Sequence, residues 1–115
     1  MESIAHARYA RISPRKVDQI LMLIRRKSVA GALATLRLVT KGARPIVEKT
    51  LQSAFANSGA QNPDQWYVAR AWVGAGPQIK RMRAFAMGRG ATIRHRTTHM
   101  TIVVSDQKPA GKKVR

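Results

Sequence analysis

The apolar positions of this chain switch between two periods, and each switch marks an element. From Ile4 to Ile12 they alternate loosely, with Ile4, His6, Arg8, Ala10 and Ile12 set against Ala5, Ala7, Tyr9 and Arg11, which predicts a short strand. The period then lengthens. Val17, Ile20, Leu21 and Ile24 fall at i, i+3, i+4 and i+7, a single apolar stripe along a helix. Ser13 is placed to cap that helix and Pro14 to open it. Arg25, Arg26 and Lys27 close it, where cations suit the negative end of the helix dipole. A second helix starts at Ser28, with Val29, Ala32, Leu33 and Leu36 on one face and Gly31 weakening it slightly. Thr40 to Gly42 predicts a break. A third helix runs from about Ala43, with Pro45 tolerable only in its first turn. Ile46, Val47, Leu51, Ala54 and Phe55 form its core face, and Asn57-Ser58-Gly59 stops it.

Beyond the polar loop Ala60 to Gln65 the period returns to two. Trp66 to Val73 is rich in aromatic and β-branched residues, and Thr97 to Val104 alternates cleanly, so both predict strands. Gly74 to Pro77 predicts a bend, and Gly88-Arg89-Gly90 a turn. The residues between lack a steady apolar face. From Trp66 to Met87 is roughly 20 residues, which would reach ~60–70 Å if extended. A compact domain of this size has a radius of gyration of only ~13 Å. The simplest solution is a hairpin whose base joins a sheet and whose tip projects.

Charge changes the picture next. The chain has 115 residues, 22 of them Lys or Arg and 5 Asp or Glu, for a net charge of +17. That much like charge destabilises a compact state unless an anion is bound. Arg outnumbers Lys 14 to 8, which favours phosphate recognition, because guanidinium forks match phosphate oxygens in pairs. The 41 residues from Gln65 to Ser105 contain no carboxylate and seven cations: Arg70, Lys80, Arg81, Arg83, Arg89, Arg94 and Arg96. A bare two-stranded ribbon is marginal in water, so a cationic one points to a nucleic-acid partner. Met82, Phe85 and Met87 sit among these cations and either stack on bases or staple the hairpin. Arg15 and Lys16 occupy the first turn of the first helix, where the dipole disfavours cations; a bound phosphate resolves the conflict. Arg8 and Arg11 extend that patch. Arg25-Arg26-Lys27 is either a second contact region or simply a favourable helix end.

Other classes are weakly supported. With no Cys, neither disulfides nor thiolate metal sites are available. His6, His95 and His99 lack ligand partners, so no metal and no cofactor is expected. Five scattered carboxylates make an acid–base pair, and hence an enzyme acting on RNA, improbable. No apolar run reaches the ~18 residues of a membrane span, so membrane insertion is not expected. Met1 to Arg11 does not read as a secretory signal.

Several segments in order also resemble one family. Arg11-Ile12-Ser13-Pro14-Arg15-Lys16-Val17, Ile24-Arg25-Arg26-Lys27-Ser28-Val29, and Val47-Glu48-Lys49 with Leu51-Gln52-Ser53-Ala54-Phe55-Ala56-Asn57 are three of them. Gly76-Pro77, Lys80-Arg81, Ala86-Met87-Gly88-Arg89, Arg94 and Arg96-Thr97-Thr98-His99 form the fourth. Together they resemble the large-subunit ribosomal protein numbered twenty-two in the bacterial scheme. The resemblance implies an α+β fold: three helices packed on a three-stranded antiparallel sheet, with a long projecting β-hairpin at about 76–98. The domain would span 1–107, followed by a basic tail at 108–115 expected to be disordered. It implies a structural role in the ribosome of the cytoplasm or an organelle, with ribosomal RNA held by Arg8, Arg11, Arg15, Lys16, Arg25, Arg26, Lys27, Lys80, Arg81, Arg83, Arg89, Arg94 and Arg96. The tip, Arg83, Ala84, Phe85, Ala86, Met87, Gly88, Arg89, Gly90 and Ala91, would help line the nascent-peptide tunnel. Its neighbours there would be the tunnel-lining large-subunit protein numbered four and, in passing, the nascent peptide; in the family, changes at this tip are linked to macrolide resistance. Four departures stand out. Arg26 replaces a usual Gly, Ala84-Phe85 replaces Pro-Arg, Thr92 and His95 stand where cations are usual, and Pro45 is atypical. The alternative from the residues alone is an architectural DNA-binding protein with a basic β-arm.

Overall fold

The stripe Val17, Ile20, Leu21 and Ile24 is fully buried, on a helix α1 that spans Pro14–Ile24. These coordinates come from a computed structural model that describes residues 2–84, 88 and 90–107, with the backbone alone at 79, 81, 83, 84 and 91–94. Helix α2 (Val29–Arg37) and helix α3 (Arg44–Asn57) complete the helical layer. Ser28 caps α2 as its position predicts, its hydroxyl accepting from the Gly31 N–H at 3.0 Å. Ser13 sits at the N-cap of α1 with the extended backbone that Pro14 imposes, but its side chain makes no capping bond. Ala43 stands at the N-cap of α3 and has no capping group at all, and Pro45 lies in the first turn, where its missing N–H costs nothing.

Five strands follow the two periods of the sequence. They are β1 (Glu2–Ala10), β2 (Tyr67–Ala75), β3 (Ile79–Ala84), β4 (Gly90–His95) and β5 (Thr98–Ser105). They form two antiparallel sheets: a three-stranded one in the order β1-β5-β2 and a two-stranded ribbon, β3-β4. The fold is therefore α+β, with three helices over a three-stranded antiparallel sheet. Ala5, Val68, Ala71, Met100, Ile102 and Val104 turn toward the helices and join the stripes of α1, α2 and α3 in one core. Of the expected core face of α3, Val47, Leu51 and Ala54 are buried, while Ile46 and Phe55 are only partly covered. Phe55 meets Trp66 edge-on, with centroids 6.5 Å apart.

Boundaries moved by a residue or two. Strand β1 ends at Ala10 rather than Ile12 because the chain turns there, the Ile12 N–H donating to the Ala10 carbonyl at 2.9 Å. Just before that turn the register of β1 against β5 shifts between Ala7 and Ala10, and Tyr9 adopts a left-handed φ of 57°. The Tyr9 N–H donates to His99 Nδ1 at 3.1 Å and its ring stands edge-on to the imidazole. His95 and His99 do not share a strand: the former ends β4, the latter lies in β5, and Arg96-Thr97 intervene.

The ribbon begins where β2 leaves the sheet. Gly76 donates its N–H to the Thr97 carbonyl at 2.9 Å, and Thr97 Oγ1 donates to the Pro77 carbonyl. Thr98 Oγ1 donates to the Ile12 carbonyl, tying the same junction to the loop that enters α1. Both threonines are buried. No Cβ fits at Gly76: it would lie 2.5 Å from Thr97 Oγ1 and 3.1 Å from His99 Nε2. The bend expected at Gly74 to Pro77 is thus a close approach of the Gly76 backbone to the Thr97 and His99 side chains.

Candidate nucleic-acid interface

Two helix N-termini, both without capping side chains, open onto one cleft. Its volume is about 1080 Å³, and it is lined by Arg11, Ile12, Ser13, Arg15, Lys16, Gln19, Lys41, Gly42, Ala43, His95 and Arg96. Four parts of the chain meet here: the turn after β1, the start of α1, the loop into α3 and the β4–β5 junction. The turn at Ile12 and the Thr98 bond to its carbonyl hold the first and last of these together. Arg11, Arg15, Lys16, Lys41 and Arg96 are all exposed, as is His95. Among the described residues no carboxylate lines the cleft. Neither α1 nor α3 has an acidic residue in its first turn. The positive ends of two helix dipoles and five Lys or Arg side chains therefore act on the same volume. Anionic oxygens are the chemistry such a volume accepts. A smaller cleft of about 170 Å³, lined by Pro14, Arg15, Ala75, Gly76, Gln78, Arg96 and Thr97, continues it toward the ribbon.

The expected contact residues fall into three groups. Arg11, Arg15 and Lys16 line the cleft together, and Arg96, expected on the hairpin arm, joins them. Lys80, Arg81, Arg83 and Arg94 lie on the ribbon, whose register sets Lys80 opposite Arg94, Arg81 opposite Ile93 and Arg83 opposite Ala91. Like charges at one register position destabilise a bare ribbon. Lys80 and Met82 are exposed, and Gly88 has the left-handed φ of 71° that the predicted turn requires. Phe85, Ala86, Met87 and Arg89 of the expected tip, and the tail at 108–115, lie outside the described residues.

The third group, Arg25-Arg26-Lys27, is tied into the fold. Arg25 Nε donates to the Ala71 carbonyl at 3.0 Å, and its Nη2 pairs with Asp18 Oδ1 at 2.8 Å. Its side chain is about one-third exposed, so it fastens α1 to β2. Arg26 takes a left-handed φ of 68° and its N–H donates to the Val68 carbonyl at 3.0 Å. A helix that ends this way favours Gly, which accounts for the usual residue there. Lys27 Nζ donates to Thr35 Oγ1 at 3.1 Å. Arg8 is exposed on β1, away from the cleft.

Sequence reading missed Lys41, whose Nζ also donates to Gln19 Oε1 at 3.3 Å. The available signal was a cation just before a helix start that carries no capping residue. His95, which stands where a cation is usual, lines the cleft as well. Among the described residues, no three His, Asp or Glu side chains are placed to hold a metal ion.

The fold and cleft define a basic structural protein whose main feature is a cation-lined groove. The chain matches the family model described as ribosomal protein L22p/L17e over residues 5–105. It is 47% identical over 115 residues to large ribosomal subunit protein uL22 of Staphylococcus aureus strain JH9, covering 97% of this chain and 98% of that one. The proteins of the same name from strains Newman and NCTC 8325 / PS 47 show the same identity and coverage. The chain belongs to the ribosomal protein L22p/L17e family. It is a ribosomal protein with a structural role, not an enzyme.

Proposed function

We propose that this chain is a structural constituent of the large subunit of the cytoplasmic ribosome and binds ribosomal RNA through Lys and Arg contacts to phosphates. The observation that carries this reading is the cleft, where five cations from four parts of the chain converge with no carboxylate among them. Each phosphate seated there relieves repulsion the protein cannot relieve alone. The ribbon extends the same counter-charge outward. Its cations let RNA segments approach one another, and its tip, 83–91, helps line the nascent-peptide tunnel beside the tunnel-lining protein numbered four. The elongated dimensions of the chain, 60 × 34 × 24 Å, with a radius of gyration of 17.2 Å, support a ribbon that projects. A compact domain of this length would have ~13 Å. The DNA-binding alternative accounts for the charge but not for the family membership.

Fractionating a lysate on a gradient and washing the large subunits in rising salt tests the reading. The chain should travel with large subunits at moderate salt and be released as salt rises, since each phosphate contact costs about 0.9 log units of affinity per tenfold salt. A chain found free of subunits at moderate salt sinks the proposal.

A further inference from the structure

The helices pack on one face of the three-stranded sheet; on the other, Val103 and Thr101 of the central strand are buried and the edge-strand side chains Ile4, Arg70 and Trp72 are exposed. On the other face, Ile4, Val103 and Arg70 form one cross-strand row, and His6, Thr101 and Trp72 form the next. Gly74 follows, opposite His99. Trp72 and Ile4 are each 45% exposed. Trp72 makes no ring contact among the described residues, whereas the other tryptophan, Trp66, is buried against Phe55. The His6 ring nitrogen Nδ1 lies 2.9 Å from Thr101 Oγ1, so the row beside the indole is already fixed.

Space and charge flank the indole. A Cβ built at Gly74 meets nothing within 4 Å, and Gly74 has no left-handed φ that would explain a glycine there. Same-face positions along a strand are about 7 Å apart, so the position next to the indole carries no side chain to block a flat ring. On the other side, at the same two-residue spacing, stands Arg70, 61% exposed, with Glu2 3.2 Å away as the acidic residue of this face.

We infer that this face is a stacking site for an unpaired ribonucleotide base, with the ring on Trp72 over Gly74 and the phosphate drawn to Arg70. This rests on the RNA-binding reading above but uses a different surface from the cleft, and it reads a base rather than a backbone. A half-exposed indole with an arginine beside it suits an unpaired nucleotide, since stacking accepts any base and arginine takes the phosphate.

Tryptophan emission of the full-length protein tests it, because Trp66 is shielded and Trp72 is not. The probes are a single-stranded oligoribonucleotide of about eight nucleotides, an abasic ribose-phosphate oligomer of equal length, and an RNA duplex, all at matched salt. The base-bearing single strand should quench the emission and the abasic oligomer should not. Trp72→Leu should weaken single-strand binding about fivefold to hundredfold, the range that one stacked base supplies, and Trp72→Phe should restore most of it. Gly74→Thr, a change that suits a strand, should fill the gap and weaken binding similarly while leaving duplex affinity unchanged. Equal quenching by both oligomers, or full affinity in Trp72→Leu, overturns the site. So does a crosslink from position 72 to a protein rather than to RNA in intact large subunits. Duplex RNA that fails to bind at all would instead sink the RNA-binding reading. Duplex binding without base-dependent quenching sinks only the stacking site.

Discussion

The two sheets of this protein are continuous along the chain, yet different forces hold them. β2 leads into β3 and β4 leads into β5 within a few residues, and both sheets are antiparallel. The β1-β5-β2 sheet buries Ile102, Val104, Met100 and Val68 under three helices. Among the described residues the β3-β4 ribbon pairs with no other strand, and it carries Lys80, Arg81, Arg83 and Arg94. Hydrophobic burial makes the first sheet self-sufficient. A two-stranded ribbon is marginal in water, and its like charges make it worse. One chain thus joins, at a few residues, a sheet held by its own core and a ribbon that carries little but charge.

The largest expected contrast is in stability. Ile102→Ala should lower the unfolding free energy by about 2–5 kcal/mol through lost burial and a cavity. Met82→Ala, at a side chain 73% exposed on the ribbon, should stay within about 0.5 kcal/mol. Urea titration measures both, and similar losses would erase the distinction between the two sheets. The junction comes next. Gly76→Ala forces a methyl onto Thr97, which is pinned by its own bond to Pro77. It should cost about 1–3 kcal/mol, with hydrogen exchange rising first at the Gly76 amide. The smallest effect runs the other way. Arg26→Gly removes a left-handed Arg, whose conformation costs roughly 1–2 kcal/mol, and adds the ~0.5–1 kcal/mol entropic penalty of Gly. Thermal unfolding should show a net gain of about 0.5–1 kcal/mol.

What could be read from the sequence follows the same division. The stripe of α1 and the alternation of β5 were legible because burial imposes a period, and every expected stripe residue of α1 is buried. The basic region at Arg15 and Lys16 was legible because it opposes the local helix dipole. Arg25 was not, because its partner Ala71 lies 46 positions away and its charge resembles that of its neighbours. Lys41 was missed because no periodic pattern marks a loop; only the fold brings it to Arg15 and Arg96. The face carrying Trp72 was hidden because an aromatic residue in a strand reads equally as core.

The central claim is that the cleft cations act together on phosphates, and the salt dependence of RNA binding tests it directly. Full-length protein and a variant with Arg15, Lys16, Lys41 and Arg96 all changed to Gln should be titrated with duplex RNA across a range of salt. If each cation meets a phosphate, the log–log slope of affinity against salt should fall by about three to four in the variant. An unchanged slope and affinity would contradict the account and leave the cleft a solvated surface.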